Sequence, residues 1–364
     1  MENGSTAETM KGSVLGVILH DICEEIRLEE LREILGAKRV ESGFKHATPE
    51  YVRFEKPPVV ERLDPVVLSG GETLCPQVKY YDYGVVSVLF QLEFEADWET
   101  LVQLAARWVP NAELERQAQR IIRGRLERIA PAVVRPYSDW LSEDYYIFLL
   151  SEVPGHPRGA DLLSQHGPEI AQLLRGEATA LARSENADVL QASLSYYPTD
   201  LVVVGWNAAL VYDTPSGAET SVQILEYANS QLLEFRHYDE LLTRELAGVY
   251  RSLKRRAGLW RRWRMRSEAS RLSSVTVEVT ELVERADTAI KFVSDMFSAR
   301  LYRLAAAKVG VPEYKNLVKE KLKTAEGLYR ALIDEFHQSR GFVLELMVVI
   351  ILIIELVYLF RGKY

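Results

Sequence analysis

The chain has 364 residues, 48% hydrophobic and 26% charged, with a formal net charge of −8 and a pI near 5.5. That length has room for two folded units, and the acidic balance argues against a protein whose whole surface binds nucleic acid. Cys23 and Cys75 are solitary, with no CxxC and no histidine-rich neighbourhood, so the sequence indicates neither a disulfide framework nor a zinc site. Both cysteines read as small buried hydrophobes.

Residues 1–10 are expected to form a disordered tail. An α+β domain is expected over 11–155. No signal peptide is predicted before its first apolar run, residues 14–19. A strand over 13–19 leads to an amphipathic helix over 23–35, with Ile26, Leu28, Leu31 and Leu35 on one side and Gly36 as its stop. Pro57 and Pro58 break β-like pieces at 51–54 and 59–68. After the Asp82-Tyr83-Gly84 turn, Val86, Val88, Phe90, Leu92 and Phe94 alternate with mostly polar residues, the period of a strand. Asp97 is a helix cap for Leu101, Leu104 and Trp108, and Pro110-Asn111 opens a further helix to residue 129. A strand over 145–153 and a Pro/Gly-rich linker close the domain.

A second α+β unit is expected over 159–250. It has a helix at 168–181, strands at 189–197, 201–204 and 208–212, and a long final helix. Ser216 and Glu219 have the capping-box spacing that would start this helix. Over 251–338 a basic turn and a helical hairpin or coiled coil follow. Leu272, Val275, Val279, Leu282, Ala286, Ala289, Val293 and Met296 form a heptad seam, Gly310-Val311-Pro312 breaks it, and Val318, Leu322, Ala325, Tyr329, Leu332 and Phe336 resume it.

The count continues in phase through Ile350, Ile353 and Val357. Residues 342–360 are apolar except for Glu345, Glu355 and Tyr358, and at the helical rise they cover about 28 Å. With Arg340, Arg361 and Lys363 as flanks, 340–364 is predicted to be a single C-terminal transmembrane helix. The bulk of the chain would then be cytoplasmic, or on the matrix side. Glu345 and Glu355 would be polar residues within the span, favouring oligomerisation.

Two groups of residues are candidate binding sites. Arg251, Lys254, Arg255, Arg256, Arg261, Arg262, Arg264 and Arg266, interleaved with Trp260 and Trp263, suit anionic lipid headgroups or an acidic partner, and nucleic acid less well. Glu226, Asn229 and Arg236 fall on one stripe of the final helix and suit a small ligand. His237 lies beside Asp239 with no nucleophile spaced to join them. No catalytic residue, cofactor site or metal site is predicted.

The order of features resembles the sporulation and required-for-meiotic-division family. The resemblance rests on the strand around Tyr81-Asp82-Tyr83-Gly84-Val85-Val86, the Asp213-Thr214-Pro215 turn, Leu225-Glu226 on a helix, a long helical hairpin, and Leu344-Glu345 opening the apolar end. It implies a membrane-tethered, non-enzymatic protein that recruits or positions a partner. The leading expectation is a tail-anchored scaffold that binds membrane lipid and an unidentified protein and forms homo-oligomers. The alternatives are a membrane-bound enzyme or small-ligand sensor using the helix over 217–250, and a tether for nucleic acid or ribosomes through residues 251–271.

Overall fold

A computed structural model describes residues 9–36, 52–54, 56–254, 269–277, 279–281, 283–284, 290–292 and 296–361. The chain divides into two compact units, Met1–His237 with Glu284–Tyr314, and Tyr238–Val283 with Lys315–Tyr364.

The first unit is organised by β1 (Met10–Ile26), which is apolar on both parities. Val14, Ile18 and Ile22 face one side of the sheet and Leu15, Val17 and Leu19 the other, all buried. After β1 come α1 (Leu28–Leu35), β2 (Val52–Phe54), β3 (Val59–Arg62), β4 (Val66–Val67), β5 (Thr73–Tyr80) and β6 (Val85–Ala96). Next are α2 (Trp98–Trp108), α3 (Ala112–Ile129), β7 (Val133–Glu152), α4 (Gly159–Arg175), α5 (Arg183–Gln191), β8 (Ser193–Leu194), β9 (Leu201–Val204) and β10 (Ala208–Tyr212). Among the described residues the main sheet has nine strands in the order β3-β5-β6-β1-β7-β10-β9-β8, with β4 on β5. β10 runs parallel to β7, and the other pairings are antiparallel, which makes the sheet mixed.

Helices α2, α3 and α4 pack on the Val14, Ile18 and Ile22 face, where Trp108, Leu114, Ile122 and Ile170 join one core. Two side-chain caps fix where these helices begin. The Asp97 carboxylate accepts from the Thr100 N–H at 2.9 Å, and Asn111 Oδ1 accepts from the Glu113 N–H at 2.8 Å. The opposite face receives α6 (Pro215–Lys254). Its first turn is capped one residue before Pro215, where Thr214 Oγ1 accepts from the Gly217 N–H at 3.4 Å. Ser216, the predicted cap, lies inside the helix.

Local propensity and fold part company in three places. Residues 23–26 continue β1, because Cys23, Glu25 and Ile26 pair with β7 beyond a register slip, so the helix begins only at Leu28. Residues 183–191 are helical; Glu185 on this helix pairs with Arg175 at 2.5 Å, and the strand is left with Ser193 and Leu194 alone. The heptad seam is interrupted by β11 (Ile290–Phe292), which pairs antiparallel with β2. The following α7 (Met296–Val309) belongs to the first unit. Cys75 is exposed rather than buried.

The second unit contains the end of α6, helical residues 269–277, and part of α8 (Val311–Arg361). Leu246, Val249, Leu272, Ala325 and Leu332 form its core. Lys321 reaches Asp239 at 2.6 Å and Arg271 reaches Glu245 at 2.7 Å.

The transmembrane expectation is corrected. Among the described residues no helix is long and apolar enough to cross a membrane. Apolar side chains from Met347 to Leu359 are exposed. Glu355 interrupts them. Glu345 lies outside the residues whose side chains are described. The single-pass membrane location and the tail anchor fall with the span.

Candidate functional site

The face of the sheet beneath α6 carries a group of buried polar residues. Along β5 and into the following turn, Gln77, Lys79 and Tyr81 alternate with Val78 and Tyr80, so one parity is apolar and the other meets α6. Glu226 on α6 is fully buried and forms a close ion pair with the Lys79 ammonium. The Tyr81 hydroxyl also bonds to Glu226, and burial followed by that carboxylate holds its pKa well above the ordinary phenol value. Tyr83 and Ser230 share a hydrogen bond of 2.8 Å, while Gln231 bonds to Tyr227 at 2.9 Å and to Tyr302 on α7.

Further along α6, Arg236 pairs closely with Glu143 of β7, whose carboxyl is raised by burial against the pull of that guanidinium. His237 Nδ1 lies 2.8 Å from Asp21 Oδ2 and its ring stacks on Tyr137 at 4.4 Å between centroids. Burial raises the Asp21 pKa, and the imidazole opposes the rise.

The predicted stripe is therefore partly assembled. Glu226 and Asn229 are both buried, one turn apart, with Asn229 Nδ2 donating to the Leu225 carbonyl at 2.8 Å. Glu226 Oε1 and Asn229 Oδ1 have no hydrogen-bond partner among the described residues. Arg236 is turned to Glu143 instead of joining them. His237 pairs with Asp21 rather than Asp239, which is held by Lys321. Of the basic cluster, Arg251 is exposed and donates to the Ala247 carbonyl at 3.2 Å. The side chain of Lys254, and Arg255, Arg256, Trp260, Arg261, Arg262, Trp263, Arg264 and Arg266 altogether, lie outside the described residues. Among the described residues no three His, Cys, Asp or Glu side chains are placed to hold a metal ion.

A groove of about 1230 Å³ opens beside Lys79 over this face of the sheet. Its floor is Gln77, Lys79, Tyr81, Leu89, Gln91, Glu93 and Leu15; one wall is the start of α6 at Pro215, Ala218, Glu219 and Val222, and the other is Pro57, Pro58, Val60 and Arg62. Strand register locates the charges. Arg62 pairs with Gln77 and Gln77 with Leu89, whereas Glu93 lies four residues further along β6, a separation of about 13 Å. Asp213 and Glu219 stand where α6 begins, and Lys79 with Glu226 stand two turns on. Acidic groups thus gather at one end of the groove, where Lys11 is held by Glu152 at 3.2 Å, and Arg62 stands toward the other, where Lys79 is already paired with Glu226. Burial raises the Asp213 carboxyl, and the Thr214 N–H, donating at 2.6 Å, opposes that rise.

Lys79, Tyr81, Asp21 and Tyr137 were not singled out from the sequence. The alternation of Gln77, Lys79 and Tyr81 was the available signal for the first two, but a lysine on one face of a strand ordinarily points to solvent.

Residues 11–219 match the family described as Uncharacterized protein MJ0711, N-terminal domain. That is more than half of the chain, and the chain belongs to this family. Among curated proteins, Uncharacterized protein MJ0711 of Methanocaldococcus jannaschii is 18% identical over 220 residues, covering 60% of this chain and 66% of that protein. The match thus spans just under two thirds of that relative. No solved structure matches. The membership replaces the resemblance to the sporulation and required-for-meiotic-division family, to which nothing in these matches leads. The motifs that carried that resemblance are short strand, turn and helix pieces that recur in unrelated folds.

Proposed function

We propose that the first unit is a ligand-binding sensor module whose groove takes an elongated bipolar organic molecule. An ammonium group would lie at the Asp213 and Glu219 end, and a carboxylate or phosphate at the Arg62 end. The observation that carries this reading is the segregation of charge along a groove of about 1230 Å³, which is above the usual range for small-molecule sites. Gln77 and Gln91 on the floor supply donors and acceptors between the two ends. Binding is favoured over catalysis because the lysine on the floor, Lys79, is engaged with Glu226.

The test is a calorimetric titration of the full-length chain with ω-amino carboxylates of increasing length, alongside diamines and dicarboxylates of the same lengths. Longer ω-amino carboxylates bind, the symmetric compounds bind at least tenfold more weakly, and Arg62→Glu weakens binding of the bipolar series at least tenfold. Equal binding of all three series, or binding unaffected by Arg62→Glu, would contradict the reading. A second reading, a non-enzymatic scaffold that oligomerises through its helices, is favoured by the exposed apolar end of α8.

A further inference from the structure

We infer that the apolar end of α8 is an interface between copies of this chain, which join as a parallel bundle of three or four helices. The inference sharpens the scaffold reading and is independent of the groove. From Met347 to Leu359 every apolar side chain is between 46% and 78% exposed, on all sides of the helix. Together they present roughly 1,000 Å² of apolar surface, where a monomer ordinarily shows a few hundred and a stable interface buries about 800 Å² on each partner. An identical helix is an occupant of matching length and character.

The sequence of the helix gives the order of the assembly. Ile350, Ile353 and Val357 are spaced by three and four and form one seam. All three are β-branched, and isoleucine at both kinds of seam position shifts preference from two strands to three or four. Ile354 and Leu356 flank the seam on its two sides, positions that become covered when more than two helices meet. Glu355 falls five residues after Ile350, on the side facing away from the seam. A carboxylate placed there stays in water while the Ile350, Ile353 and Val357 seam packs.

The experiment is the mass of the full-length chain in buffer by light scattering, set against the 41.4 kDa of one chain. The wild type has three or four times that mass. Ile350→Asp with Ile353→Asp returns the protein to the single-chain mass with an unchanged helical spectrum, and Val348→Asp, on the outer side, leaves the assembly intact. A wild type at one or two chain masses, whether bare or carried in a detergent micelle, overturns the inference. So does a seam variant that assembles like the wild type, or an outer variant that dissociates as completely as the seam variant.

Discussion

Lys79 and Glu226 form a buried ion pair beside the groove. The glutamate side chain is fully buried and the lysine side chain is 12% exposed. Removing one member therefore leaves a charge with no compensation. Lys79→Met is expected to destabilise the protein by about 3–5 kcal/mol, and Lys79→Met with Glu226→Leu to recover most of that loss, as measured by urea unfolding. A double variant no more stable than the single one would mean that the pair is not what holds this region. His20 gives a second test at the same scale. Its imidazole is buried on the helical side of the sheet, and burial lowers its pKa from 6.5 to about 4, partly opposed by Glu115 and helped by Arg123. Between those values the unfolded chain takes up a proton that the folded chain refuses. Stability therefore rises with pH through that window and is lost as pH falls from 6.5 toward 4, by roughly 3 kcal/mol for a shift of this size. Asp21, Asp144 and Glu143 have raised pKa values and act with the opposite sign, so the readout is a difference. The stability of wild type minus that of His20→Gln should rise between pH 4 and 6.5, and a flat difference would contradict the burial account.

Among the elements, the β5–β6 hairpin holds the groove's floor in register. Gly84 in its turn has a φ of +95°, and an added Cβ would lie 1.8 Å from the Cys23 carbonyl oxygen of β1. The backbones approach so closely because the Gly84 carbonyl also accepts the Ile22 N–H at 3.2 Å. Gly84→Ala should cost at least about 2 kcal/mol in thermal or urea unfolding, and a loss under 0.5 kcal/mol would show that the turn relaxes freely. Elements whose signals are local were legible from the sequence. Asp97, Asn111 and Gly36 marked helix ends, and the alternation from Val86 to Phe94 marked a strand. Elements decided by distant partners were not. Residues 23–26 follow β7 into the sheet, and residues 290–292 pair with β2 although a heptad runs through them. The ligand stripe was legible as a helical face, yet the residues that give it meaning, Lys79 and Tyr81, come from a strand more than a hundred positions away.

The whole molecule explains why the C-terminal helix was misread. An apolar helical run has the same sequence whether lipid, a protein core or neighbouring helices cover it, and the phase of a seam does not name the solvent. Among the described residues no helix is long and apolar enough to cross a membrane, and the isoleucine seam with an outward Glu355 suits association with other helices. The α8 interface and the groove lie on different units and can be tested separately. The groove is tested most directly by the affinity of the full-length chain for ω-amino carboxylates compared with diamines and dicarboxylates of equal length. A bipolar groove binds the longer bipolar compounds at least tenfold more tightly than either symmetric series, and Arg62→Glu removes the difference. Indifference to ligand polarity, or no binding by any of the three series, would contradict it.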